Sequence, residues 1–279
     1  MTNLRLAYMP LITYPDLAPD ESVIAAADLA VAMEWGLHST VFAVAIPHLS
    51  STISGLLINI PELIRTTEAN SQAECNRLRE LVQGRVGTRI EAFASVRRTM
   101  LGLTGEAAAA EARYFDLSVL PWAKERIVLQ ELAQAVVFGS GRPAILVPPA
   151  ASPEPIRNVA IAWDGSRVAA RALSDALSLL TRDARITILT VRNEKPLERP
   201  DVAEALVRSL ERRGLPAQAR NVNLDGRTIS EALQREALYV GAGLLVMGGF
   251  GHSRVRDFVL GGATKGVMAD LHLPVLLSH

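Results

Sequence analysis

With one cysteine, Cys75, the chain cannot close a disulfide within itself, and a reducing compartment suits it. No CxxC pair or evident base accompanies that thiol, which reads as a structural residue on a polar helix and not as a nucleophile. Net charge is lacking too. Lys plus Arg and Asp plus Glu number 29 each, which excludes a general field that would recruit nucleic acid or an anionic membrane. No run approaches the ~20 apolar residues that cross a bilayer. The opening MTNLRLAYMPLITYPD has no basic start followed by an unbroken apolar stretch and a small-residue cleavage site, so a soluble cytoplasmic protein is expected. Catalytic signatures are missing as well: neither HExxH nor GxSxG occurs, and no carboxylates pair at a recognisable spacing. His272 and His279 show no metal-ligand spacing.

What is present is apolar residue in quantity, 49% of 279, enough for one large or two medium globular cores. Near the middle, VPPAASPEP places four prolines among small residues, which precludes a helix and marks a linker. Beyond it the chain alternates. NVAIAW, ARITILTV, AQARNVNL, GLLVMGG and LPVLL read as strands, with amphipathic helices between them, the first capped by Ser166. Such alternation predicts a parallel sheet with right-handed crossovers and helices on both faces. The first half repeats the order: NLRLAY matches NVAIAW, FDLSVLPW matches GLLVMGG, and GRPAILVPP matches HLPVLLS. A duplicated α/β unit is expected, residues 1–149 and 156–279, each with a five-stranded, mostly parallel, Rossmann-like sheet. The first copy carries extra sequence at Ser51–Asn70, readable as a longer crossover or as a partner-binding segment.

The halves differ most where glycine collects. Six glycines (248, 249, 251, 261, 262 and 266) follow the strand LLVM. Glycines after a parallel strand let backbone amides approach an anion, and the next helix adds its positive N-terminus. With Pro121 aligned to Gly248 and Pro143 to Pro274, the first half has Gln130 and Glu131 in place of Gly261 and Gly262, and Met9 in place of Asp164. A ligand site in the second half alone accounts for that contrast; loss of a turn in one copy would produce it too. Both Asp164 and Gly248 fall beyond the carboxyl ends of strands, where open α/β sheets bind ligands. The spacing fits neither a dinucleotide GxGxxG nor a GxxxxGK[ST] loop.

Gly248, Gly251 and Gly261, with VAIAWDGS, LLVM and PVLLS around them, resemble the nucleotide-binding members of the universal stress protein family in its tandem, two-domain form. The family's motif runs Gly, two residues, Gly, nine residues, Gly, then Ser or Thr; here Gly262 stands at the last place, and Thr264 lies two residues on. The resemblance implies ATP or a related adenine nucleotide in the second half, with magnesium as a companion ion left open. It places Asp164 and Val191 near the adenine and ribose, and Met247 and Gly248 near the ribose. It places Gly251, Gly261, Gly262 and Ala263 near the phosphates; whether Thr264 substitutes for the missing hydroxyl is left open, and His252 and Arg254 read either as exposed loop residues or as phosphate contacts. Read from the residues alone, Asp164 serves equally as a helix cap, and Val191 and Met247 as strand-end core. The resemblance also implies that the two units pair within the chain through their fifth strands; association of two chains is left open. Binding and signalling is the expected role, against a nucleotide-free interaction module using the Ser51–Asn70 insertion, or a slow ATPase.

Overall fold

The computed structural model describes residues 4–47, 59–152, 154–181, 183–192, 200–249 and 262–279. In the first half, β1 (Leu6–Ile12), β2 (Gly36–Ala45), β3 (Ala92–Met100), β4 (Leu117–Pro121) and β5 (Ala144–Val147) alternate with α1 (Asp20–Ala32), α2 (Ile60–Val86), α3 (Thr104–Ala112) and α4 (Ile127–Gly139). In the second, β6 (Asn158–Ala162), β7 (Arg185–Val191), β8 (Ala217–Val222), β9 (Leu244–Gly248) and β10 (Val275–Ser278) alternate with α5 (Arg167–Leu179), α6 (Val202–Glu211), α7 (Ile229–Tyr239) and α8 (Gly262–Ala269). The strands form one ten-stranded sheet in the order β3-β2-β1-β4-β5-β10-β9-β6-β7-β8. All described pairings are parallel except β5 with β10, where Leu276 faces Ile145 in an antiparallel ladder. Every residue of those two strands is buried, because helices cover both faces at the centre of the sheet.

Local chemistry explains the second half's helices. On α5 the buried positions are Ala169, Ala172, Leu173, Ala176 and Leu179, a helical stripe of mostly small residues, and Ser166 caps it by accepting the Ala169 N–H at 3.3 Å. Thr228 and Glu231 form a capping box at the start of α7. No helix among the described residues is long and apolar enough to cross a membrane.

Strand register brings one correction. Ala7 pairs with Leu117 and Val159 with Leu244, so Ala7 and Val159 are equivalent, and five residues on Ile12, not Met9, occupies the place of Asp164. Met9 lies inside β1, fully buried. The described part of the insertion opens α2, whose Arg77 and Arg85 each hold a carboxylate of α1, Asp20 and Asp28, through two hydrogen bonds. Ser71 accepts the Val44 N–H and Glu68 the Ile46 N–H, both at 2.8 Å, closing off the end of β2. Residues 51–58 lie outside the described residues. Cys75 is buried on this helix, and burial pushes its thiol up to about 11, so it is inert.

Under α3 lies a polar cluster. His38 stands 3.8 Å from Glu111, which also accepts from Thr40 at 2.7 Å, and burial, opposed by the Glu111 carboxylate, holds His38 below the usual histidine range. The unfolded chain therefore takes up this proton first. The resulting stability is present above pH ~6.5 and is lost as pH falls through the folded value. Melting temperatures from pH 7.5 to 5 are expected to fall less steeply for His38→Phe than for the wild type; equal slopes would exclude His38 as the titrating group.

Candidate nucleotide site

Parallel strands β6 and β9 are neighbours, yet the chain leaves β6 toward β7 and β9 toward β10, in opposite directions along the sheet. That reversal opens a crevice at their carboxyl ends, the general ligand position of open α/β sheets. Asp164 lies two residues past the end of β6 and Gly248 ends β9. The Asp164 carboxylate accepts the Ser166 N–H at 2.9 Å, folding the DGS turn back on itself, while the cap of α5 belongs to Ser166. Gly165, with φ of 81°, is the glycine this turn requires. Trp163 is half-buried and donates its indole N–H to the Val202 carbonyl at 3.1 Å, a packing role that ties it to the start of α6.

Gly248 is glycine for a reason the sequence did not disclose. A Cβ there would stand 2.6 Å from the Val168 carbonyl carbon and 2.8 Å from the Ala169 nitrogen, so the first turn of α5 rests directly on the end of β9. The N-terminus of α5 is thereby brought to the crevice. Val191 ends β7, next to β6, and is half-buried. Met247 is a core residue, 4% exposed.

Helix α8 runs from the carboxyl edge back to the start of β10, which places its N-terminal residues Gly262 and Ala263 on the side of Asp164 and Gly248. Gly262 is exposed, and a Cβ added to it would meet nothing within 4 Å among the described residues, whereas Thr264 is 4% exposed. Gly266 serves packing: a Cβ would stand 2.8 Å from Ser230 Cβ on α7. Gly251, His252, Arg254 and Gly261 lie outside the described residues. Among the described residues no group of His, Cys, Asp or Glu could hold a metal ion.

The corresponding place in the first half is apolar. Ile12 replaces Asp164 and Pro121 replaces Gly248, and the next residue, Trp122, crosses into the second half. A cavity of about 360 Å³ opens elsewhere, between the first half's carboxyl edge and the turn joining α8 to β10, lined among others by Pro19, Trp122, Lys124 and His272.

Residues 155–279 match the model of the universal stress protein family. The second half of the chain is similar to that family along its whole length. A universal stress protein from Archaeoglobus fulgidus DSM 4304 shares the fold of the entire chain, with a TM-score of 0.68 at 15% identity over 97% of each chain. A protein of the universal stress protein family from Burkholderia pseudomallei is 25% identical over 44% of this chain and 95% of its own, with a TM-score of 0.34. A universal stress protein solved in complex with cAMP is 23% identical over 44% of this chain and 97% of its own, with a TM-score of 0.33. No curated protein matches the sequence.

Sequence reasoning missed the residues by which the first half meets the second: Trp122 and Lys124 at the turn joining α8 to β10, and Phe138 beside Gly249 at the end of β9. Their partners lie more than a hundred residues away, and no local pattern announces them.

Proposed function

We propose that the chain is a universal stress protein of two tandem units, residues 1–149 and 156–279, that binds one adenine nucleotide, ATP or a close relative, in the second. The observation that supports this most is the asymmetry at the two switch points: Asp164 and a glycine-ended strand in one, Ile12 and Pro121 in the other. A carboxylate beside the N-termini of α5 and α8 suits a ligand with a hydroxylated sugar and an anionic tail. Asp164 takes the sugar side, with Val191 and Gly248 beside it. The phosphates lie against the backbone at Gly251, Gly261, Gly262 and Ala263, with His252 and Arg254 as further donors. Thr264, two residues past Gly262 on the first turn of α8, is the substitute hydroxyl.

The function is binding that reports nucleotide state. Calorimetry of the full chain with ATP, ADP and AMP, with and without Mg2+, is expected to give one site per chain. Two equal sites would place a ligand in both halves, and no heat and no thermal shift at millimolar nucleotide would sink the proposal.

A further inference from the structure

The first half lacks the glycine motif, yet it touches the second half at Gly249, just after the strand that opens the motif, and at the last turn of α8, the helix that follows the motif. At the near end, the Gly249 N–H donates to the Ser278 carbonyl at 2.7 Å, and His279 Nδ1 lies 2.9 Å from the Gly249 carbonyl, which it can only meet as a donor. The edge of the His279 ring meets Phe138 of α4 with centroids 5.4 Å apart at 79°. A Cβ at position 249 would stand 3.3 Å from Phe138 and 3.6 Å from Val137, so α4 is packed directly on this backbone. At the far end, the buried Trp122 indole donates to the Met268 carbonyl at 3.0 Å, satisfying one of the carbonyls that the last turn of α8 leaves unpaired. Lys124 adds an ion pair to Asp270 at 3.1 Å.

We propose that the first half is a positioning unit for the second half's nucleotide site, acting through Phe138 on Gly249 and His279 and through Trp122 on α8. The inference rests on the nucleotide reading above and explains what a motif-free copy contributes to it. Backbone amides bind an anion well only when held in place beforehand. Anchoring residue 249 from α4 and residue 268 from the end of β4 limits how far the α8 N-terminus can shift. Trp122 and Phe138 are positioning residues and touch no ligand. Coupling is reciprocal: if the junction favours nucleotide, nucleotide tightens the junction.

The test uses the full chain and ATP. Trp122→Phe keeps the ring but removes the N–H, and Phe138→Leu keeps apolar bulk but removes the ring contact. Each is checked for an unchanged far-ultraviolet spectrum and cooperative melt. ATP affinity by calorimetry is expected to fall roughly three- to tenfold in each, while Tyr114→Ala, at a site 84% exposed, leaves it unchanged. In the wild type, the Trp122 indole N–H resonance, assigned by its loss in Trp122→Phe, is expected to shift on adding ATP, which a merely structural contact would not require. If the wild type binds no ATP, the nucleotide reading fails and this inference with it. If the wild type binds but both variants match it within twofold, or the Trp122 resonance does not move, the positioning role is overturned and the nucleotide reading stands.

Discussion

Gly248→Val is expected to destabilise the protein by about 3 kcal/mol, and Gly248→Ala by about 2 kcal/mol, the scale of forcing atoms into a packed core. The first added carbon already meets backbone atoms of α5 at 2.6 and 2.8 Å, and backbone cannot rotate aside as a side chain can. Either α5 lifts from β9, uncovering Leu173 and Ala176, or the strand end shifts. Gly262→Ala provides the contrast. No described residue would stand within 4 Å of the added Cβ and the residue begins a helix, so stability is expected to stay level or rise by up to ~1 kcal/mol. Urea titrations of the three variants, read as midpoint shifts at constant slope, decide between these glycines. Equal midpoints for Gly248→Ala and wild type would mean that the close approach of α5 is not real.

ATP affinity is expected to fall at least tenfold in Gly251→Val, which requires only ~1.4 kcal/mol. A side chain there would displace a phosphate from the backbone, and each lost charge-assisted hydrogen bond removes ~1.5–3 kcal/mol. Gln130→Ala and Glu131→Ala, at the places in the first half that align with Gly261 and Gly262, are expected to leave affinity unchanged. Gly262→Ala is informative here as well: a variant that keeps or gains stability yet loses affinity has a glycine retained for its ligand. Calorimetric titration of these folded variants settles the placement. Comparable losses from the first-half changes would move the site into the first half or spread it over both.

Much of this architecture was legible beforehand because it is written in local periodicity. The stripe from Ala169 to Leu179, the Ser166 cap and the alternation of apolar runs with helices depend on residues within a few positions of one another. The VPPAASPEP linker and the repeated strand order required only that each half be compared with the other. Register in β1 was not legible. LRLAYMPLI is apolar on both faces because helices cover both, so no polar alternation distinguishes Met9 from Ile12 as the partner of Asp164, and only the ladder to Leu117 does.

At the site, the residue types could be read off the chain directly: an acidic DGS turn after one strand, glycines after another, and neither pattern in the first copy. The tertiary structure decided what each was for. Gly248 and Gly266 proved to be places where one element rests on another, while Gly262 has no described residue against it, a distinction that depends on distances between α5 and β9 and between α8 and α7. It also decided that Trp122 meets Met268 and Phe138 meets His279. Contacts across more than a hundred residues arise from the way the two halves meet along β5 and β10, and nothing in a residue's own neighbourhood encodes that meeting.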